Sequence, residues 1–268
     1  MKRTSFGYAS TPRRRKRHRF TPRFFLILAA LFALIALGFF IAAGGFPEKP
    51  DQPVINPGPS GDVAPPEPNH WVMIDPGHGG QLYPGCYYGG IRESDLDLQV
   101  ALKVRTILEA NNIGVLMTRE DDSEVGLYER TELCNDSNAE LFLSIHANAF
   151  ESDLSVHGIS TWYNETSHEE NKDFALLVQN HSSLATGTRN RGISKDNELI
   201  VIRETNVPSC LVEIGFMSNE KELADLVTED YQQKLAQGLA DAILEYFESK
   251  TPADDGDGAS DSDNNSDN

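Results

Sequence analysis

Three apolar runs in this 268-residue chain carry side chains able to bind a metal or move a proton. The first, at 71–75, passes into Asp75-Pro76-Gly77-His78-Gly79-Gly80. The second, at 141–145, passes into Ser144-Ile145-His146-Ala147-Asn148. The third, at 210–214, holds an acid within it, Val212-Glu213-Ile214-Gly215-Phe216. A further acid, Glu93, opens a helical pattern just after a loop containing Gly89 and Gly90. Two imidazoles and one carboxylate form a common catalytic zinc set that leaves a fourth position for water. Zinc lowers the pKa of that water to about 7 and polarises a carbonyl. A second carboxylate nearby can then take the water's proton and hand it to a leaving amine. The chain offers both carboxylates, and residue types alone do not say which plays which part. Each residue also has a plain structural reading: a histidine beside glycine can be a turn residue, and an acid at a helix start favours the helix dipole. Glu213 is harder to dismiss, because an unpaired carboxylate inside an apolar strand is costly to bury.

These residues need a scaffold that brings them together. Strand patterns at 71–75, 113–117, 141–145, 158–163, 199–202 and 210–214 alternate with helical patterns at 96–110, 127–135, 171–186, 221–227 and 232–247. The expected fold is therefore α/β, a mostly parallel sheet with helices on both faces in three layers. In such sheets, sites form at the carboxyl ends of strands. His78, His146 and Glu213 all fall at or near such ends. No internal repeat and no second globular module is evident.

The ends of the chain differ in composition from its body. Residues 1–23 hold nine Lys/Arg and no acid, leaving 14 bases against 41 acids, a net of −27, for the remainder. An acidic body argues against nucleic-acid binding by phosphate neutralisation. Residues 24–43 are uncharged and apolar, long enough to cross a bilayer. The basic cluster before them places the N-terminus in the cytoplasm. The expected organisation is a cytoplasmic basic segment (1–23), one transmembrane helix as anchor (24–45), a Pro-rich linker (46–69), a catalytic domain (70–249) and an acidic disordered tail (250–268). Eight of the fourteen prolines lie in the linker. The catalytic domain would then be extracytoplasmic on a single-pass membrane protein. The alternative is a cleaved signal peptide and a secreted product. Cys86, Cys134 and Cys210 lack zinc-finger spacing and read as small thiols rather than a disulfide scaffold.

Four segments carry a resemblance to a known family: Val72-Met73-Ile74-Asp75-Pro76-Gly77-His78-Gly79-Gly80, Glu93-Ser94-Asp95-Leu96, Leu143-Ser144-Ile145-His146-Ala147-Asn148, and Val212-Glu213-Ile214-Gly215-Phe216-Met217-Ser218-Asn219. In that order they resemble the zinc-dependent N-acetylmuramoyl-L-alanine amidases, over essentially all of 71–247. The resemblance implies that His78, Glu93 and His146 are zinc (Zn2+) ligands and that Glu213 is the catalytic general base. It implies a peptidoglycan substrate cut between N-acetylmuramic acid and L-alanine. The alternatives are a zinc peptidase cutting within the peptide stem and a non-catalytic wall-binding module. The 127–130 and 203–208 stretches also look like the family; Arg130 would brace a helix and Arg203 would touch substrate. Asp75 and Asn148 are expected either to support a ligand histidine or to serve turns, and Cys86 lies close enough in sequence to be a further ligand. His157, His168 and His181 match no ligand position. No inserted segment that would plug the site is evident between His146 and Glu213, and no protein partner is identifiable.

Overall fold

The computed structural model describes residues 67–250. The expected segments at 1–23, 24–45 and most of 46–69, and all but the first residue of the tail, lie outside the described residues. Among the described residues no helix is long and apolar enough to cross a membrane.

In chain order the elements are β1 (His70–Pro76), β2 (Tyr87–Tyr88), β3 (Ile91–Arg92), α1 (Glu93–Ala110), β4 (Ile113–Met117), α2 (Leu127–Asn135), β5 (Leu141–Asn148), β6 (Ile159–Tyr163), α3 (Asn171–Thr186), β7 (Asn190–Lys195), α4 (Ile200–Arg203), β8 (Ser209–Phe216), α5 (Glu220–Leu226) and α6 (Glu229–Lys250). Six strands form one sheet in the order β4-β1-β5-β8-β6-β7. All its pairings are parallel except β6 against β8. The expected mostly parallel α/β architecture is what the chain adopts.

Side-chain alternation along the central strands divides the residues between the two faces. Val72 and Ile74 of β1, Leu141, Leu143 and Ile145 of β5, and Cys210, Val212 and Ile214 of β8 share the larger core, with α1, α3 and α6. Met73, Phe142 and Leu211 point the other way, into a smaller core closed by α2 and α4. By the same period of two, Asp75, Ser144, His146 and Glu213 fall on this second, thinly covered face. The chemistry therefore collects where the helical cover leaves room.

Helix α1 shows why one acid is so well placed. Its buried stripe is Leu96, Val100, Ala101, Val104 and Leu108, at helical spacing. The first free N–H groups of a helix need partners. Here Glu93 N donates to Cys86 O at 2.9 Å and Ser94 N to Pro84 O at 3.1 Å. The loop before the helix thus caps it and pins Glu93 at the sheet edge.

One expected strand is wrong. Residues 199–202 fold as the single turn α4, in which Arg203 N donates to Leu199 O at 3.0 Å. Asp196 Oδ1 accepts from the N–H groups of Glu198 and Leu199 at 2.7 and 3.1 Å, starting a turn that the apolar run alone did not reveal. Strand β7 was not anticipated, because this edge strand is largely exposed and polar.

Candidate functional site

The strands deliver two imidazoles and the helix delivers a carboxylate to one point. His78 follows β1, on a loop whose backbone takes left-handed values at His78 (φ 57) and Gly80 (φ 75). A non-glycine residue rarely adopts such values, and they turn the imidazole back towards the sheet edge. His78 Nε2 lies 2.9 Å from Glu93 Oε1, and His146 Nδ1 lies 3.1 Å from the same oxygen. The two rings meet edge to face, with centroids 4.8 Å apart. One donor atom from each of His78, Glu93 and His146 lies within 4.8 Å of the others, and among the described residues this is the cluster of His, Cys, Asp and Glu able to hold a metal ion. Tetrahedral zinc has bonds of about 2.0–2.2 Å, which set its ligand atoms roughly 3.3–3.6 Å apart. The three residues present fit that requirement with small adjustments.

Burial works to raise the Glu93 carboxyl, but the hydrogen bonds and charge of His146 and His78 overcome it and hold the group well below the usual carboxylate range. Its other oxygen, Oε2, accepts from Cys86 N at 2.8 Å. Glu93 is thus ionised and fixed in orientation, as a metal-binding carboxylate must be.

Glu213 sits opposite His146 in the β5–β8 register. Its Oε2 is buried with no hydrogen-bond partner. Burial, then the charge of Glu93, pushes the Glu213 carboxyl up to about 8. A buried orphan carboxylate oxygen is unfavourable for folding, and here it stands beside two histidines and an acid.

Behind the histidines lies a buried polar frame that residue patterns only partly revealed. Asp75 touches no histidine, contrary to one expected role. Its Oδ1 accepts from Thr118 Oγ1 at 2.6 Å and Arg130 Nη1 at 2.7 Å, and its Oδ2 from Ser144 Oγ at 2.7 Å. The side chain points across the second face, where Arg130 arrives from α2. Arg130 also donates to Pro76 O, His78 O and Val125 O. It braces the His78 loop rather than its own helix. Arg119, which was not anticipated, donates to Pro76 O at 3.0 Å, Gly77 O at 2.6 Å and Ser94 O at 2.9 Å. It ties the loop bearing His78 to the helix bearing Glu93. The available signal was a Thr-Arg pair directly after the apolar strand β4. Asp97, one turn beyond Glu93 in α1, is fully buried with both oxygens unpartnered. Burial, then Glu93 and Glu213, holds its carboxyl well above the usual range.

Other expectations resolve simply. Cys86 Sγ lies 3.8 Å from Ala147 O and 3.3 Å from Met217 Sδ, outside the His78–Glu93–His146 cluster. Burial, then Glu93, raises its thiol far above the ordinary value, which disfavours the thiolate a ligand requires. All three cysteines are free. Asn148 accepts from Ala149 N at 2.7 Å and serves the turn. Arg203 bonds to its neighbour Glu204 and does not line the cleft. His181 pairs with Glu245 at 2.6 Å, and His157 contacts Ser155 O at 2.9 Å.

A cleft of about 620 Å³ opens beside His78 and His146 on the second face, walled by Tyr83, Val125, Leu127, Leu199, Val201 and Leu211. Gly77 lets the histidine loop pass close to the sheet. A Cβ there would fall 2.4 Å from His146 Cε1 and 2.7 Å from Asp97 Oδ2. Gly77→Ala is therefore expected to displace His146 and weaken divalent metal binding about 10–100-fold with the fold intact, as loss of supporting contacts does at metal sites. Chelator competition alongside circular dichroism checks this, and unchanged affinity would mean that the ring yields without loss.

The fold and this cluster define an α/β protein with a metal-binding-competent centre at the carboxyl edge of its sheet. Comparison with known proteins makes that class specific. The family model for N-acetylmuramoyl-L-alanine amidase matches residues 72–245. LytC, an N-acetylmuramoyl-L-alanine amidase of Bacillus subtilis, is 36% identical over 177 residues, covering 66% of this chain and 35% of LytC. The germination-specific N-acetylmuramoyl-L-alanine amidase of the same organism is 32% identical, covering 67% of this chain and 80% of its own. The crystal structure of an N-acetylmuramoyl-L-alanine amidase from Clostridium difficile superposes with a TM-score of 0.65 at 36% identity, covering 68% of this chain and 98% of that one. The chain belongs to the N-acetylmuramoyl-L-alanine amidase family and is a hydrolase of that class. It spans about a third of the length of LytC and most of the germination-specific relative.

Proposed function

We propose that this protein hydrolyses the amide bond between N-acetylmuramic acid and L-alanine in peptidoglycan, with zinc held by His78, Glu93 and His146 and with Glu213 as general base. The observation that carries the reading is the convergence of three donor atoms on one point with Glu213, whose Oε2 is buried and unpartnered, directly across the strand pair. Zinc bound there supplies a Lewis acid for the scissile carbonyl and lowers the pKa of water. The chain's own residues do the rest. Glu93 and the two imidazoles orient the reacting centre, and Arg119 and Arg130 hold the His78 loop rigid. The Glu213 carboxylate takes a proton from the attacking water as the water oxygen bonds to the carbonyl carbon. When the C–N bond breaks, the same carboxyl returns the proton to the alanine nitrogen. The apolar cleft walls lower the local dielectric and strengthen these charge interactions. His78 keeps 32% of its side chain exposed, which supports a site without a built-in plug.

The same reading extends to the flanking segments. Residues 24–45 form a membrane anchor behind a cytoplasmic basic segment, and 46–69 is a linker holding the catalytic domain, 70–249, outside the cell. The support is the uncharged run and the basic cluster before it.

The test is to incubate the purified full chain with peptidoglycan, with and without a chelator, and identify released fragments by mass spectrometry. Chelator-sensitive release of free peptides beginning at L-alanine is expected. Cleavage within the stem would make it a peptidase, and binding without cleavage a wall-binding module. His78→Ala is expected to lose the metal, read by elemental analysis, together with all release; full metal content in that variant would remove His78 from the ligand set.

A further inference from the structure

The acidic loop 120–124 reaches the cleft at its last residue, and three of its four acids are already engaged. Glu120 pairs with Arg105 at 2.7 Å, Asp121 accepts from Ser123, and Asp122 pairs with Arg92 at 3.0 Å. Glu124 has no hydrogen bond or ion pair among the described residues, yet it lines the cleft with His78 and His146. It is also well held. Asp122 Oδ1 accepts from Gly80 N at 3.1 Å, Asp121 O from Arg119 Nη1 at 2.8 Å, and Val125 O from Arg130 Nε at 3.0 Å, so the backbone on both sides is fastened to the site. A Cβ on Gly80 would come within 2.9 Å of Glu124 Cβ and 3.3 Å of its Oε2, so the carboxylate lies along the His78 loop. Arg130, the one arginine lining the cleft among the described residues, spends its donors on Asp75 and three carbonyls. The cleft thus offers an apolar wall and one unmatched carboxylate. Such a surface selects a cation, and the low-dielectric wall strengthens the pairing.

Resting on the reaction proposed above, we infer that Glu124 is a specificity residue that receives a primary ammonium on the stem peptide, namely the side chain of its diamino acid. Where a stem has served as acceptor in a cross-link that group is a neutral amide; otherwise it is a free ammonium. The enzyme therefore prefers stems whose diamino side chain is not acylated. Reach agrees. Gly80 lies two residues from His78, about 7 Å of chain at most, and a third stem residue lies a similar distance beyond the scissile bond, since extended chain spans about 3.3–3.6 Å per residue.

The test uses the zinc-loaded full chain and two muramoyl-pentapeptides that differ only at the third residue, lysine or Nε-acetyl-lysine. The wild type is expected to favour the lysine substrate about two- to fivefold in kcat/KM, the scale of an ion pair at an exposed carboxylate. Glu124→Gln should bring the ratio to about one with zinc content unchanged, and Glu124→Lys should reverse it. Equal use of both substrates by the wild type, or a ratio that survives in Glu124→Gln, overturns the inference. A Glu124→Gln defect of equal size on the acetylated substrate would move the contact to the α-ammonium freed on alanine, and would also overturn it. Calorimetric binding of the two peptides to zinc-loaded Glu213→Gln reads the same preference without turnover. Absence of cleavage in the wild type would count against the amidase reading, whereas absence of a binding preference would count against Glu124.

Discussion

Glu213→Gln is expected to lower turnover on peptidoglycan about 10²–10⁴-fold, the usual contribution of a positioned general base, while zinc content stays unchanged. The amide keeps the shape of the side chain but cannot hold the transferred proton. A second readout separates a base from a structural residue. The Glu213 carboxyl is pushed up to about 8 by burial and then by Glu93, against an unfolded value near 4.5. A group whose folded value is raised keeps its proton longer in the folded state. The metal-free protein should therefore be most stable below about pH 4.5, as far as this group decides, and lose stability as pH rises towards 8. At pH 7 the cost is about 3 kcal/mol by linkage. Glu213→Gln has no such group and should be more stable than the wild type near neutral pH by an amount of that order, measured by denaturant unfolding in chelator. In the zinc-loaded enzyme the cation draws the carboxyl down, so kcat/KM should rise with pH through a midpoint below 8. Full activity of the glutamine variant, or equal stability of the two metal-free proteins, would contradict the assignment.

Arg130→Met is expected to destabilise the domain by about 3–5 kcal/mol, the range for removing one partner of a buried ion pair. Asp75 is fully buried and Arg130 nearly so, and they meet at 2.7 Å. Thr118 and Ser144 would still donate to Asp75, but its negative charge would lose its counterpart. Typical domain stability is about 5–15 kcal/mol, so the loss is large. Zinc affinity should fall with it, because the carbonyls of Pro76 and His78 lose the donor that holds their loop. Arg130→Lys should rescue little: a single ammonium cannot reproduce the fork that reaches Asp75, Pro76, His78 and Val125 together. Denaturant unfolding and chelator competition check both parts. In a double-mutant cycle, Asp75→Asn with Arg130→Met should cost less than the sum of the single changes. Wild-type behaviour of Arg130→Lys would show that charge alone matters.

The sequence by itself determined the elements whose information is local. The apolar run of β1 stops where Pro76 cannot donate to the sheet, and the stripe from Leu96 to Leu108 can only be a helix that buries one side. The strands and helices at 113–117, 127–135 and 171–186 have the boundaries their patterns imply. His78, Glu93, His146 and Glu213 could be singled out because a histidine in a glycine-rich turn and an acid in an apolar strand are each unusual where they stand. Tertiary structure alone decided how they meet. Glu93 and Glu213 are both acids near the ends of elements, yet the shared surroundings of two histidines hold one ionised, and an unpartnered burial raises the other. Part of that difference comes from a contact 53 residues apart in the chain, His146 to Glu93, which no local pattern encodes. The same holds for residues 199–202, where a short apolar run fits strand or helix equally well and Asp196 tips it to a turn. It holds too for Asp75, whose partner, Arg130, comes from a helix 55 residues further on. Side-chain period and turn chemistry act over a few residues. Charge, burial and the cleft they shape depend on which distant strands become neighbours.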